Sequence, residues 1–239
     1  MAEINEEVKS IVVMTNSAAK LLINDYNINP EKISVIPHGT HLVEHLNKEV
    51  LKEKYGFSKR KIITTFGLLS SGKSIETSLN ALPAIIKENP DVLFLIIGKT
   101  HPSVAKNEGE KYRNFLQEKI EKLNIQEHVL FINKYVSLPI LLDYLQLTDI
   151  YLFTSNDKNQ AVSGTFSYAI SCGCPIISTP IPHASEVLKN DTGIIIDFEN
   201  ATQLAIEVNK LLLNPTFRHT ISLNGLHKMA PNAWENSAI

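Results

Sequence analysis

The stretch Val92-Leu93-Phe94-Leu95-Ile96-Ile97-Gly98 decides the fold of this chain. It is a continuous apolar run without polar alternation, which is typical of a strand covered on both faces by other elements. Similar short runs recur along the chain, and longer amphipathic segments separate most of them. The predicted strands are Ser10–Met14, Ile33–Ile36, Lys61–Gly67, Val92–Gly98, Val129–Ile132, Ile150–Thr154, Pro175–Ser178 and Gly193–Ile196.

The segments between these strands have the spacing of helices that bury one face. The predicted helices are Ser17–Tyr26, Ile75–Asn89, Glu108–Leu123, Pro139–Gln146, Thr165–Ser171 and Thr202–Leu213. Strand and helix in alternation predict an α/β fold with a Rossmann-like, doubly wound parallel sheet. The six strands from Lys61 onward suffice for one such domain. The two earlier strands either extend this sheet or belong to another domain, and the charged stretch Glu44–Arg60 is expected to form a helix and connector outside the core.

Composition excludes several classes of function. The chain has 239 residues, which predicts one large domain or one domain and part of another. Its 23 Lys and Arg residues against 25 Asp and Glu residues leave a formal charge of −2, so nucleic acid is not an expected partner. The two cysteines, Cys172 and Cys174, allow neither a disulfide framework nor a four-ligand zinc site.

Two parts of the sequence bear on the location of the protein. The N-terminal residues lack the pattern of a signal peptide. Residues 159–185 carry no charged side chain and are long enough to span a bilayer. However, Pro175, Pro180 and Pro182 would break a spanning helix, so burial inside the protein is the better interpretation. We therefore expect no transmembrane segment and a cytoplasmic protein.

The loop after the third strand is the first candidate ligand site, because open parallel sheets bind ligands beyond the carboxyl ends of their strands. Backbone N–H groups and an ammonium at a helix start would hold a phosphate. The stretch Gly67–Ser74 also formally matches the P-loop pattern of phosphotransferases, although Asp149 precedes its strand and cannot serve as the usual second motif. A plain turn with a solvent-exposed lysine is the remaining alternative. The candidate phosphate ligands here are Gly67, Ser70, Ser71 and Lys73.

Further loops at the same edge offer more polar groups. Ser163, Gly164 and Thr165 open an uncharged helix, so their amides form a second candidate anion site. His101 either contacts a ligand or caps its loop, and Glu186 lies in the first turn of a helix, where a carboxylate is favourable in any case. Two helix starts and one lysine suit a diphosphate, which indicates a nucleotide-linked substrate. A dinucleotide cofactor is not expected, since no Gly-x-Gly-x-x-Gly follows a strand.

At these residues the chain resembles the C-terminal, donor-binding half of family 4 (group 1) glycosyltransferases, which are retaining, nucleotide-sugar-dependent enzymes of the GT-B fold. The resemblance runs from about Val8 almost to the C-terminus. It depends on several short sequence segments, whose order and spacing together are more specific than any single segment. The landmarks are Val35–Gly39, Phe66–Lys73, Leu95–Gly98, His128–Phe131, Thr148–Ile150, Gly173–Thr179, Glu186 and Gly193.

The resemblance implies roles for individual residues. The family binds its donor diphosphate with an arginine and a lysine in the first loop; Lys73 matches the lysine, whereas Leu68 stands at the arginine position. Two family glutamates that contact sugar and ribose correspond to Gln160 and Tyr168. The amide cradle maps onto Ser163, Gly164 and Thr165, and the base-binding turn onto Asn133 and Lys134.

The resemblance also implies an organisation. Residues 1–48 would be a remnant of the N-terminal GT-B domain, 49–60 a linker, and 61–239 a donor-binding domain that is itself truncated. The fragment alone is expected to be inactive. Its catalytic residues stay unassigned, because the family's histidine near the reacting sugar lies in the missing domain and His38 belongs to a different loop.

The implied partners are a nucleotide-sugar donor, which is the co-substrate, and a carbohydrate or lipid acceptor of unknown identity. No other cofactor and no metal is expected, and the cytoplasm or the periphery of a membrane is the expected location. A non-catalytic nucleotide-sugar or carbohydrate-binding module is the alternative, and Leu68, Gln160 and Tyr168 favour it.

Overall fold

The computed structural model describes residues 7–237, so the first six residues of the predicted N-terminal segment and residues 238–239 of the predicted donor-binding domain lie outside the described residues. All eight predicted strands are confirmed, and each is at most two residues shorter than predicted. The strands are β1 Ile11–Val13, β2 Ile33–Val35, β3 Lys61–Phe66, β4 Val92–Ile97, β5 Val129–Ile132, β6 Ile150–Phe153, β7 Ile176–Ser178 and β8 Ile194–Ile195.

Helices occupy most of the connections between strands. Short 3₁₀ turns lie in several of the loops. The helices are α1 Asn16–Tyr26, α2 Lys48–Lys54, α3 Ile75–Glu88, α4 Pro102–Glu108, α5 Lys111–Lys122, α6 Leu138–Gln146, α7 Gly164–Ser171, α8 Pro182–Val187, α9 Ala201–Leu213, α10 Pro215–Met229 and α11 Trp234–Ser237.

The main sheet has six strands in the order β5-β4-β3-β6-β7-β8, and every neighbouring pair is parallel. Successive β4 residues point to opposite faces, so Phe94 and Ile96 enter one apolar cluster and Leu93 and Leu95 enter the other. All six residues of β4 are buried. The predicted doubly wound sheet is confirmed, and its strand order reverses between β3 and β6, where ligands of such sheets bind.

The first two strands form a sheet of their own. β1 and β2 pair in parallel with each other and with no strand of the main sheet within residues 7–237, so the alternative in which they extend that sheet is wrong. Glu186 on α8 joins the two parts: its carboxylate accepts hydrogen bonds from Asn16 N at 3.0 Å and from Ser17 N and Oγ, both at 2.7 Å. Glu186 therefore caps the amino end of α1.

The helix predicted over Glu108–Leu123 is wrong at its start. Gly109 has φ +63° and separates α4 from α5. Sequence analysis also missed α4 and α10, which begin at Pro102 and Pro215. It placed Glu186 in the first turn of a helix, whereas α8 begins at Pro182 and Glu186 lies near its end. Proline interrupts a helix interior but is favourable in its first turn, where the missing N–H has no partner in any case.

A buried ion pair fixes α2 to the amino edge of the sheet. The Asp149 carboxylate accepts from Lys52 Nζ and from Ile62 N, both at 2.8 Å, and its side chain is 5% exposed. Leu51 on the same helix is buried in the core. The expectation that Glu44–Arg60 lies outside the core is therefore wrong at these positions.

The Asp149 carboxylate stays ionised in this setting. Burial by itself would raise the pKa of Asp149, but the ammonium groups of Lys48 and Lys52 and the hydrogen bonds from Lys52 and Ile62 together lower it. A lowered folded-state pKa contributes stability that is present above the unfolded pKa and is lost as the pH falls through the folded pKa.

We predict that Asp149→Asn lowers the free energy of unfolding by about 3 kcal/mol at pH 7, because the buried Lys52 ammonium is left with only the exposed Glu49 carboxylate, 3.8 Å away. Urea denaturation of both proteins measures the difference. The difference should shrink as the pH falls below the range in which a free aspartate is ionised, since the unfolded wild-type chain then binds a proton that the folded protein binds only at lower pH.

Asp91→Asn is the matched control, because Asp91 pairs with Lys61 at 3.4 Å while both side chains are about a third or more exposed. It should cost less than about 1 kcal/mol. Equal losses in the two variants would show that burial does not set the strength of the Asp149 pair.

Candidate functional site

Two glycines bring the loops after β3 and β4 into contact. Gly67 and Gly98 have φ values of +141° and +130°, which side chains rarely allow, and a methyl group on Gly98 would overlap the carbonyl oxygen of Gly67. Gly67 N donates to the Ile97 carbonyl at 3.0 Å. This corrects the expectation for Gly67: its amide extends the strand pairing and is not free to bind a phosphate.

The loop then positions Lys73 through its backbone. Residues Ser71–Lys73 form a 3₁₀ turn, Ser74 has φ +47°, and α3 begins at the next residue. Thr154, which follows β6, donates its hydroxyl to the carbonyls of Lys73 and Ser74, each at 3.1 Å. Thr154 thus ties the backbone at Lys73 to the end of β6, at the point where the strand order reverses.

The Lys73 ammonium is partly buried and lacks an anionic partner. Among the described residues no carboxylate lies within ion-pair distance of Nζ, and Nζ makes no hydrogen bond. It lies 5.3 Å from the centroid of the Phe153 ring. Burial lowers the pKa of Lys73, so the charged form is destabilised as it stands. An anion beside Nζ would remove that cost.

Lys73 and the start of α7 face the same glycine. A methyl group placed on Gly67 would lie 3.3 Å from Thr165 Cγ2 and 3.5 Å from Lys73 Nζ. The lysine of one loop and the first turn of a helix distant in sequence therefore meet at the carboxyl edge of the sheet, as the strand order requires.

The amino end of α7 offers two free amides where sequence analysis expected three. Ser163 N donates to His183 Nδ1 at 3.1 Å, which corrects the expectation that its amide is available. Ser163 Oγ accepts from Phe166 N at 3.4 Å as the helix cap. Gly164 N and Thr165 N have no partner among the described residues.

His183 holds this turn in place as a neutral side chain. Because its Nδ1 accepts the Ser163 proton, its own ring proton lies on Nε2. Burial, followed by repulsion from His38, lowers the pKa of His183 to about 4. Sequence analysis assigned no role to His183, since nothing local in the sequence links it to Ser163.

His38, in the loop after β2, also lies beside this turn. A methyl group on Gly164 would lie 3.9 Å from His38 Nε2. The His38 and His183 rings are 6.4 Å apart between centroids. Only the folded chain brings residue 38 beside α7, so no local pattern could have found it.

The predicted sugar and ribose ligands have partners within the protein. Gln160 Oε1 accepts from Ser155 Oγ at 2.9 Å, and its Nε2 donates to Val162 O at 3.3 Å. The Tyr168 ring stacks on His41, with centroids 4.5 Å apart and an interplanar angle of 11°. Gln160 thus braces its own loop, while Tyr168 forms part of an aromatic wall.

A cavity of about 650 Å³ lies between α7 and the loops that follow β3, β4 and β5. Leu68, Lys134 and Tyr168 line it, whereas Asn133 is not among its lining residues. Tyr135, which sequence analysis missed, also lines it and is 87% exposed. Its size and largely apolar walls are typical of pockets for small organic ligands.

The remaining predicted residues lie at the margins. His101 Nδ1 accepts from Ser103 N at 3.2 Å, so His101 caps α4, which is the second of its two predicted roles. Ser70 is half-buried and its carbonyl accepts from Lys73 N at 3.0 Å, while Ser71 is exposed. The Glu186 carboxylate accepts hydrogen bonds from Asn16 and Ser17 at the start of α1.

The P-loop alternative is wrong. Ser74, the residue that would bind magnesium, is 1% exposed and its hydroxyl shares a hydrogen bond of 2.9 Å with Thr77. Asp149 lies at the opposite edge of the sheet in its own ion pair. Within residues 7–237 no three His, Cys, Asp or Glu side chains are grouped to hold a metal ion, and no helix has the length and apolar composition to cross a bilayer.

The chain is similar in sequence to several known proteins. The chain is 27% identical to spore coat protein SA of Bacillus subtilis over 196 residues, covering 80% of this chain and 50% of that protein. It is 22% identical to the GDP-mannose-dependent alpha-(1-6)-phosphatidylinositol monomannoside mannosyltransferase of Mycolicibacterium smegmatis over 191 residues, covering 77% and 47%. The chain thus spans about half the length of these relatives.

Solved structures share the fold. Anabaena Alr3699/HepE in complex with UDP superposes with a TM-score of 0.83 at 18% identity, covering 95% of this chain and 60% of that chain. Sucrose-phosphate synthase from Thermosynechococcus elongatus superposes with a TM-score of 0.84 at 20% identity, covering 99% and 57%. At these sequence identities the structural likeness shows only the fold. The fold is that of the C-terminal domain in a GT-B architecture.

The family is shown by a model that describes glycosyl transferases group 1 and matches residues 47–228. That match contains β3 to β8, Lys73, the α7 turn and the cavity. Because it covers well over half of the sequence, this chain belongs to the group 1 glycosyltransferases.

Proposed function

We propose that this chain binds the diphosphate of a nucleotide-sugar donor and that the whole protein transfers the sugar to an acceptor with retention of configuration. One observation carries the proposal: the unpaired Lys73 ammonium meets the Thr165 side chain at Gly67, in the first turn of α7, where the amides of Gly164 and Thr165 are free. A partly buried cation beside two unsatisfied N–H donors is complementary to a compact anion.

The cavity next to this anion site is the proposed place for the nucleoside. It borders Gly67 and Thr165, so a diphosphate held there would lead directly into it. Lys134 and Tyr135 line the cavity, are exposed, and are the proposed neighbours of the base. Tyr168 also lines the cavity and is the proposed neighbour of the ribose, while Asn133 and Gln160 stay predictions as base and sugar contacts.

The proposed chemical role of the site is to stabilise the leaving group. As the bond between the sugar carbon and the diphosphate oxygen breaks, negative charge builds up on the diphosphate. Lys73 and the two amides are already in place and need no rearrangement to meet it. Their contribution lowers the barrier without a nucleophile from this chain, and the nucleotide sugar is consumed as a co-substrate.

Two related proteins support the ligand class. The name of the Mycolicibacterium mannosyltransferase specifies GDP-mannose, and the Anabaena structure holds UDP. Both ligands carry the nucleoside diphosphate that the Lys73 site would bind. The identity of the base and of the acceptor, and a location at the periphery of a membrane, stay predictions.

A non-catalytic nucleotide-sugar-binding module is the second candidate. The side chain of Leu68 is 46% exposed at the rim of the cavity and brings no charge to the diphosphate site. Gln160 is held by Ser155 and Val162 in the absence of a sugar. These features would weaken donor binding or turnover.

We predict that Lys73→Met weakens UDP or GDP binding about tenfold to a hundredfold, because a hydrogen bond to a charged group contributes roughly 1.5–3 kcal/mol. Isothermal titration calorimetry with both nucleotides measures the change. Lys87→Met is the control of equal charge, since Lys87 is exposed on α3 away from the site. Equal affinities in the two variants would remove Lys73 from the phosphate site.

We predict that the protein expressed at full length from its gene transfers a sugar from a UDP- or GDP-linked donor with retention. Proton NMR of the first-formed product gives the anomeric configuration. An inverted product would contradict the retaining assignment. Nucleotide binding without transfer across a panel of donors and acceptors would favour the binding module.

A further inference from the structure

His38 is fixed at the α7 turn by contacts that leave one ring nitrogen available. Its Nδ1 lies 2.8 Å from the Gly39 carbonyl, and a carbonyl only accepts, so Nδ1 donates and carries a proton. The edge of the ring meets the Trp234 indole at a centroid distance of 5.3 Å and an angle of 60°. The available atom, Nε2, is the one that lies toward Gly164.

The C-terminal segment secures this arrangement. Thr40 N donates to Asn232 O at 2.8 Å, and Trp234 N donates to Thr40 O at 3.1 Å. A methyl group on Gly39 would overlap the Trp234 indole, so the Gly39 backbone packs directly against that ring. The segment around His38 is therefore held by the C-terminal residues Asn232 and Trp234.

Charge at the diphosphate site is unbalanced without a second cation. Lys73 supplies one positive charge, whereas a diphosphate group carries at least two negative charges. Leu68, at the rim, is uncharged. The α7 turn that carries the free amides has Lys73 near Thr165, at Gly67, and His38 Nε2 near Gly164. An imidazolium at His38 would complete a ring of donors around the anion.

We propose that His38 binds the distal phosphate of the donor as an imidazolium, donating from Nε2 while Nδ1 remains bonded to the Gly39 carbonyl. This inference rests on the proposed function, because it concerns the same anion. It adds a residue from outside the segment matched by the family model, which begins at residue 47.

The tautomer of His38 determines whether a proton must be taken up when the phosphate binds. Since the Nδ1 proton is committed to Gly39, a neutral His38 has only a lone pair at Nε2 and would repel a phosphate oxygen. Binding must therefore be accompanied by uptake of a proton at Nε2 from solvent. An imidazolium carries a proton on both ring nitrogens, so Nε2 can then donate to the phosphate.

Other charged groups around His38 bear on that proton. His183 on α8 is kept neutral by burial, which lowers its pKa to about 4, so it neither takes up the proton nor repels it strongly. Glu186 on α8 and Lys228 on α10 line the small cavity that His38 shares, and their opposite charges offset each other. His41 lies beyond Trp234 on the segment of His38 itself, and Lys73 faces the other side of the turn.

Calorimetry in two buffers of different ionisation enthalpy at pH 7.5 tests the proposal. UDP and GDP are titrated into the wild-type chain and into His38→Gln, with UMP and GMP as probes that lack the distal phosphate. We expect uptake approaching one proton in the wild type, which falls sharply in H38Q. We also expect about a tenfold loss of diphosphate affinity in H38Q and unchanged monophosphate affinity.

His128→Gln is the matched control, because His128 Nδ1 also bonds a backbone carbonyl, that of Val92, at 2.8 Å, and it lies at the amino end of β5. H128Q should bind as the wild type does. His38→Asn, whose side-chain amide can still donate to Gly39, replaces H38Q if thermal unfolding shows that the latter does not fold.

The outcomes separate this inference from the proposed function. Undiminished proton uptake in H38Q, or equal losses of mono- and diphosphate affinity, would overturn the role of His38 while Lys73→Met still tests the diphosphate site. Failure of the wild-type chain to bind any nucleoside diphosphate would instead contradict the proposed function itself.

Discussion

A partly buried ammonium without a partner is the feature on which the rest of this site depends. Lys73 loses hydration at the carboxyl edge of the sheet, yet no carboxylate among residues 7–237 compensates for it. Hydrogen bonds from Thr154 hold the backbone at this point, so the lysine cannot simply be displaced into solvent with its loop. An unfavourable charge retained in a braced loop is what an anion-binding site requires.

The two edges of the sheet have different roles, one in stability and the other in the proposed ligand binding. At the amino edge, Asp149 is paired with Lys52 and bonded to the backbone of Ile62, so its charge is satisfied within the protein. At the carboxyl edge, Lys73 and the amides of α7 are left unsatisfied. The same parallel sheet therefore presents one closed and one open set of polar groups, and only the open set can recognise a ligand.

Much of the fold could be predicted from the sequence because parallel strands buried on both faces leave a strong apolar signal. β4 and its neighbours are examples, and the meeting of Lys73 with Thr165 followed from strand order alone. Local patterns did not reveal that Pro182 and Pro215 start helices, since proline reads as a breaker unless its position in the turn is known. Nor could they show that the Ser163 amide is taken by His183, because that bond depends on tertiary contact.

His38 and Tyr135 show a second limit of sequence analysis. Neither belongs to a motif with a recognised chemistry, and each gains its place from loops that meet only after folding. Membership of the group 1 glycosyltransferases places the domain but not these side chains, which have to be read from the geometry of this chain.

The most direct test of the central claim is a ¹H–¹⁵N NMR titration of the chain with UDP and GDP. Anion binding at the α7 turn should produce large shifts of the Gly164 and Thr165 amides, and smaller ones at Ser163, whose N–H already donates to His183. Shifts confined to residues around Asp149 and Arg218 at the amino edge, or unchanged Gly164 and Thr165 resonances under saturating nucleotide, would contradict it.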